Sequence, residues 1–425
     1  MAPNLKTDQG GTNGTIDIAV IGGGIIGLML AAGLLRRGMR VTVYEQADEL
    51  HEISAGFAFT GVARECMKRL APPVLEALQR VGEVNIHPHN RYWDGFNPST
   101  KDAAESQEAL LFQVSARNLD YQGCLRSHLL HELAKELPEG VALSFSDGSI
   151  AQADFIGCDG VHSRTRQLLL DEADFASYAT YTHKVAYRAV VPIADAIDAF
   201  GNDKANNQCM HMGPDGVVIS YPVAQWTLLN LAIFLHDPEP WSNAKTTMPA
   251  TRDEVKQHLC RWAPGIREVV EALPEHLTKW GIFDMAEHPA STYARRRVCI
   301  SGDAAHASSP FLGAGACMGV EDALVLATVL DLATASIRSQ GPGTKTKAIS
   351  SAFQAYSAVR LSRSQWLVRS SREMGELYQW RYPGAGRDPE RCKAELESRT
   401  RVIWDFDVDG MVAETVRQFE HSMEI

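Results

Sequence analysis

The segment from Ile18 to Glu45, IAVIGGGIIGLMLAAGLLRRGMRVTVYE, constrains this chain more than any other. Ile18 to Ile21 reads as a strand. Gly22-Gly23-Gly24-Ile25-Ile26-Gly27 then opens an apolar helix through Leu35, and Arg36, Arg37 and Gly38 end it as cations and a glycine should. A second strand, Val41 to Tyr44, leads to Glu45. Strand, glycine turn, helix, strand and acid in this order form a dinucleotide site, with the acid about 20 residues beyond the glycines. Gly22 permits the tight turn, Gly24 lets backbone approach a pyrophosphate, and Gly27 lets helix pack on strand. The diphosphate belongs at the helix N-terminus, and Glu45 would accept from ribose hydroxyls. The pattern alone leaves open whether the dinucleotide is a flavin or a nicotinamide.

The net charge of −11, with no long basic run, argues against nucleic acid or an anionic membrane as main partner. Arg295, Arg296 and Arg297 read as a solvated turn. Eight cysteines without C-x-x-C spacing read as buried free thiols in a reducing, cytoplasmic setting, and no metal site suggests itself. Ile18 to Leu35 is better explained as strand plus helix than as a membrane span, and Met1 to Asp17 has no signal-peptide pattern.

Further along, Gly61 to Val81 is helical with a break at Pro72-Pro73, and Asn85 to Gln107 reads as an irregular surface excursion. Leu110 to Val114 is a short strand. Asp120 to Leu137 is a helix by its leucine spacing, with Arg126 off the leucine face and read as solvated. Short strands follow at Val141 to Phe145 and around Ile150 to Ile156, and the latter runs into Cys158-Asp159-Gly160. Between Val185 and Phe234, closely spaced β-runs predict an antiparallel sheet laid over the first domain. Ser242 to Lys279 reads as largely helical, with Trp262 and Trp280 as packing residues. Val298 to Ser301 returns as a strand before Gly302-Asp303, a glycine loop (Gly313, Ala314, Gly315) and a long apolar helix. Ser339 to Lys347 reads as a flexible loop, then come helices to about Gly375, a break at Tyr382 to Pro389, and one last helix over 390–422.

Three motifs thus stand in order: Gly22-x-Gly24-x-x-Gly27 with Glu45, Cys158-Asp159-Gly160-x-x-Ser163-x-x-Arg166, and Gly302-Asp303-Ala304-Ala305-His306 with Pro310 and Gly313-x-Gly315. Together they resemble the class A flavoprotein monooxygenases, the group of salicylate and 4-hydroxybenzoate hydroxylases. The resemblance implies an α/β fold: a Rossmann-type FAD-binding domain with an inserted antiparallel-sheet substrate domain and C-terminal helices. The expected division is a disordered 1–15, FAD-binding 16–177 and 289–375, a substrate sheet at 178–288, and a helical 376–425. It implies FAD as resident cofactor, NADPH or NADH as co-substrate, and FAD contacts from Arg126, Asp159 and Asp303. The Gly313-Ala314-Gly315 loop would take the isoalloxazine, and the helix after it would place its positive end at the flavin. His306 reads as a structural or flavin-side residue. The chain departs from the family between Gly140 and Asp147, where relatives carry a longer β-meander.

Within that class the chain looks most like fungal phenol hydroxylases of polyketide pathways, by Ala186-Tyr187-Arg188-Ala189 and Ser220-Tyr221-Pro222-Val223. That likeness implies that Arg188 and Tyr221 hold a substrate phenolate. It implies hydroxylation, with O₂ and through a flavin C4a-hydroperoxide, of a resorcinol-type ring, with dearomatisation in fungal secondary metabolism. Taken as bare residues, Arg188 also reads as a sheet-surface ion pair and Tyr221 as a core aromatic. Alkene epoxidation on the same fold and a non-catalytic scaffold are the competing readings, and the oligomeric state is open.

Overall fold

The strand β1 (Asp17–Ile21) is buried along its centre, as a strand covered on both faces requires. In this computed structural model, which describes residues 16–46, 56–84, 89–96, 108–115, 122–137, 143–144 and 154–424, it is the hub of a six-stranded sheet. β2 (Arg40–Tyr44) and β9 (Asp154–Gly157) pair with it in parallel. β8 (Leu143–Ser144) extends one side, and β17 (Val298–Ile300) with the antiparallel edge β16 (Ala294–Arg295) extends the other.

A second sheet has eight strands in the order β14 (Thr247–Thr251), β15 (His276–Asp284), β10 (Thr180–Pro192), β13 (Leu228–His236), β12 (Gly216–Val223), β11 (Cys209–Gly213), β5 (His89–Asp94) and β6 (Leu110–Ser115). All neighbours are antiparallel except β11 and β5. A small third sheet joins β3 (Gly56–Phe59), β7 (Gln122–Leu125) and β4 (Glu83–Val84). The helices are α1 (Ile25–Arg36), α2 (Gly61–Leu70), α3 (Pro72–Val81), α4 (Arg126–Lys135), α5 (Arg164–Leu170), α6 (Ile193–Phe200), α7 (Asn202–Ala205), α8 (Arg252–His258), α9 (Pro264–Glu271), α10 (Asp303–His306), α11 (Gly315–Gln340), α12 (Lys345–Tyr378), α13 (Pro389–Trp404) and α14 (Val408–Glu424).

Side-chain alternation splits the large sheet between two cores. Tyr187, Val191, Leu231 and Ile233 pack with Val255 of α8 and Ile266 of α9. The opposite face, with Ala186, Ala232, Phe234 and Val217, joins the main core of α1 and α11. That face therefore shares its core with the helices packed on the first sheet, and Arg188 and Tyr221 lie on it. α11 is apolar nearly all round because α1, α2, α12 and α14 surround it.

Several expectations need correction. His89 to Asp94 is a strand and not an irregular excursion, because Tyr92 is buried and stacks on Phe112 at 4.5 Å. With Leu110–Ser115 it joins the large sheet, although both lie within the span 16–177. Gln122 to Leu125 pair with β3 and β4, so this helix starts at Arg126 and not at Asp120; tertiary pairing overrides leucine spacing. Between Ser242 and Lys279, β14 and the start of β15 replace much of the expected helix. No loop spans Ser339 to Lys347: α11 reaches Gln340, Gly341 (φ +96°) reverses the chain, and α12 begins at Lys345. The C-terminal helix is two, α13 and α14. Arg297 of the arginine turn pairs with buried Asp154. The 1–15 segment, the Asp147-Gly148 turn and most of the short stretch after Gly140 lie outside the described residues.

Candidate active site

The fingerprint glycines differ in what surrounds them. A Cβ on Gly22 (φ +107°) would lie 2.3 Å from the Cys158 carbonyl oxygen, and one on Gly27 would lie 2.0 Å from that of Gly22. Both are demanded by the fold itself. A Cβ on Gly24 would meet only the Arg126 guanidinium, at 3.9 Å. Gly24 therefore leaves open space before α1, a helix with no side-chain cap and no acid in its first turn. Free N–H groups and the dipole make that end a place for an anion. Glu45 accepts from the Gly23 N–H at 2.7 Å.

Arg126, the first residue of α4, is half-buried and not solvated. Burial lowers its pKa, while Asp303 and Glu45 oppose the shift by attraction. Gly24, Glu45, Arg126 and Asp303 thus converge from four separate segments.

Asp159 is engaged within its own segment. Its carboxylate accepts from the Ser163 hydroxyl at 2.6 Å and the Thr165 N–H at 2.9 Å, while Ser163 caps α5. Arg166 of the same motif is fully buried. It donates to the carbonyls of Ala176 (2.6 Å), Ala305 (2.7 Å) and Ala304 (3.1 Å), and so ties the second motif to the third.

Asp303 is exposed at the surface of the cleft, yet burial by the surrounding protein raises its carboxyl pKa against the pull of His306 and Arg126. His306 has a partner that sequence reasoning did not find: Asp322 of α11, at 2.6 Å. Asp322 also accepts from the Gly302 N–H (3.1 Å) and from Arg360 (2.8 Å). A signal was available, since Glu321-Asp322 is an acidic pair inside an apolar helix and buried charges need partners. Beyond the loop, Gly313 (φ +61°) has no atom within 4 Å of a would-be Cβ. α11 then starts with no side-chain cap and no acid in its first turn. An acceptor at Asp303, an open glycine loop and a bare positive helix end fit a flavin and its ribityl chain.

Arg188 and Tyr221 come together on the sheet face turned to this loop. Arg188 lies opposite Ala232, which lies opposite Ile219, two residues before Tyr221. Arg188 stands 5.8 Å from the Trp280 ring centroid. Burial lowers the Arg188 pKa against the attraction of Tyr221, and burial raises that of Tyr221 against the pull of Arg188. No acidic side chain pairs with Arg188 among the described residues, which departs from a sheet-surface ion pair. On the same face Phe234 meets Phe311 at 5.1 Å, joining the sheet to the turn before Gly313.

The chain matches the family model "FAD binding domain" over residues 144–370 and "FAD dependent oxidoreductase" over 17–155. It is 52% identical to an FAD-dependent monooxygenase of Aspergillus terreus, across 96% of this chain and 98% of the relative. A salicylate hydroxylase of Sarocladium schorii is 40% identical, across 95% and 91%. A solved salicylate hydroxylase in complex with substrate matches with a TM-score of 0.79 at 28% identity, across 95% of this chain and 98% of the other.

Proposed function

The chain belongs to the FAD-dependent monooxygenases, and from that premise we propose that it hydroxylates a phenolic, resorcinol-type ring at a carbon bearing an alkyl group, dearomatising it. FAD, reduced by NAD(P)H, supplies from O₂ the oxygen atom that is transferred. Gly24 and the start of α1 would hold the diphosphate, Glu45 the adenosine ribose and Asp303 the ribityl hydroxyls, with Arg126 as a further contact. The Gly313-Ala314-Gly315 loop would receive the ring system, where the positive end of α11 would favour negative charge.

The observation that carries the substrate class is the half-buried Arg188 guanidinium, which faces the Trp280 ring and Tyr221 and has no carboxylate partner among the described residues. A partly desolvated cation with no acid beside it favours an anionic ligand, which supports reading the site as one for an anion. A phenol with a pKa near 10 is mostly neutral in water. Arg188 would favour its anion by charge. Tyr221, whose raised pKa keeps it protonated, would favour it by donating a hydrogen bond. Phenolate is the more electron-rich ring and therefore the better nucleophile toward an electrophilic oxygen. The sheet face and the glycine loop would orient it and exclude water.

The test is Arg188→Gln with a panel of resorcinol aldehydes and ketones, aerobically with NADPH, at matched flavin content. A charge-assisted hydrogen bond is worth about 1.5–3 kcal/mol, so kcat/KM should fall roughly 10- to 100-fold. Unchanged turnover of every phenol, or oxidation of alkenes alone, would overturn the proposal.

A further inference from the structure

Gly56 opens β3, and its register partner is Leu125, the residue before Arg126. Its backbone therefore runs between the cofactor side of the cleft and the substrate sheet. A Cβ at Gly56 would lie 2.7 Å from the Tyr221 hydroxyl oxygen, 3.6 Å from its Cζ and 3.8 Å from its Cε2. Carbon contacts in proteins settle near 3.5–4.0 Å, roughly, so the first of these cannot stand. Gly56 is in a strand and outside the left-handed region, so alanine there carries no backbone strain. The whole conflict falls on one atom, the hydroxyl at the tip of Tyr221.

We infer that Gly56 is a positioning residue of the substrate site: its missing side chain is the room in which the Tyr221 hydroxyl sits. The Tyr221 hydroxyl makes no hydrogen bond to the described residues, so packing alone fixes where it points. Arg188 stands beside it, and both must reach the same substrate oxygen. A hydrogen bond weakens once donor and acceptor part beyond about 3.2 Å. Displacing the hydroxyl by a fraction of an ångström is cheap for folding, because only a side-chain tip moves. For a reacting complex, misplacement by about 1 Å can cost roughly 100-fold.

This inference rests on the reading of Tyr221 as the phenol's partner, and its test separates the two. Gly56→Ala, Tyr221→Phe and the double variant are compared with a resorcinol aldehyde as substrate. Flavin content comes from visible absorbance, and kcat, KM and product formed per NADPH consumed are followed across pH. Gly56→Ala should keep its FAD, lose about tenfold or more in kcat/KM, and form less product per NADPH. Its apparent pKa for phenol binding should rise toward about 10, as the anion loses its donor. The double variant should be no worse than Tyr221→Phe, because removing the hydroxyl removes the collision. Effects of the two substitutions that multiply independently overturn the inference, as does a Gly56→Ala enzyme equal to the native one. If Gly56→Ala sheds FAD, recovery of flavin in the double variant supports the steric link, and no recovery overturns it. If Tyr221→Phe hydroxylates normally while Gly56→Ala is impaired and the double variant recovers, the positioning stands and the phenolate role of Tyr221 fails.

Discussion

His306 Nε2 and Asp322 Oδ2 lie 2.6 Å apart with both side chains fully buried, His306 closing the short helix α10 that Asp303 opens. Asp322 also takes the Gly302 N–H and one edge of Arg360, so a single carboxylate braces the strand end, the short α10 and the helix α12. Breaking a buried ion pair by removing one partner costs about 3–5 kcal/mol. Asp322→Asn should therefore destabilise the protein by roughly 3 kcal/mol in urea unfolding and lower flavin retention with it. The same pair predicts acid behaviour. Burial alone would raise the Asp322 carboxyl, but His306 and Arg360 outweigh it and hold it far below the ordinary carboxylate range. In the unfolded chain that carboxyl binds its proton near pH 3.9, approximately. Below that pH the unfolded state takes up a proton that the folded state refuses. Asp322's contribution is complete above about pH 5 and drains by about 1.4 kcal/mol per unit as pH falls below 4. An acid-unfolding limb equally steep in Asp322→Asn would contradict this assignment.

The fingerprint glycines should separate by phenotype. Gly27→Ala drives a Cβ to 2.0 Å from the Gly22 carbonyl oxygen, where backbone must move, so soluble folded protein should be scarce. Gly24→Ala meets nothing closer than 3.9 Å in the protein, so its apoprotein should melt within about 0.5 kcal/mol of native. Its FAD affinity should still fall sharply, since the added methyl enters the space before α1. Thermal melts of the apoproteins beside flavin titrations decide it. Equal FAD affinity for Gly24→Ala and native protein would remove the pyrophosphate from that place.

Asp303 should show the opposite balance of stability and binding. Burial raises its carboxyl pKa, which means that the surrounding protein resists its charge. Asp303→Asn relieves that resistance and weakens the acceptor proposed for the ribityl hydroxyls. The apoprotein variant should melt at or above the native temperature, while its FAD dissociates at least tenfold more readily. A variant less stable without FAD than native apoprotein would make Asp303 a structural residue.

What could be read in the chain before folding was what chemistry imposes locally. Glycine, acid and short spacing point to a dinucleotide loop within a few residues, whereas the roles expected of Asp159 and Asp303 came only with the resemblance carried by all three motifs in order. Arg126 was within reach only through resemblance, because nothing in its own helix says that Glu45 and Asp303 will face it. The brace under Asp303 joins residues 16 and 38 positions apart, and no local pattern encodes such a partner. His89 to Asp94 looked irregular because its burial depends on Phe112 and on β11, which is far along the chain. Gln122 to Leu125 mimicked a helix because Leu125 keeps step with the leucines of α4, while β3 claims its backbone. Gly56 carries no sign in sequence at all, since its meaning is the nearness of Tyr221.

Arg166 is the strongest remaining lever on the cofactor loop. Burial pushes its guanidinium pKa down to about 10, with Tyr293 and Asp174 opposing, and no carboxylate bonds to it directly among the described residues. Its donors go instead to three carbonyls, two of which, Ala304 and Ala305, directly follow Asp303. Arg166→Met keeps most of the volume and removes the desolvation cost of a charge, but strands those three acceptors. An unmet buried acceptor costs about 1–3 kcal/mol, so the net loss should be near 3 kcal/mol. Because the loosened residues adjoin Asp303, flavin release should also quicken, followed as the rise in fluorescence of free FAD. Arg166→Lys should recover only part, since a single ammonium on a shorter side chain cannot serve carbonyls on two segments. If Arg166→Met matched native protein in both stability and flavin release, the tie between the second and third motifs would have no energetic weight.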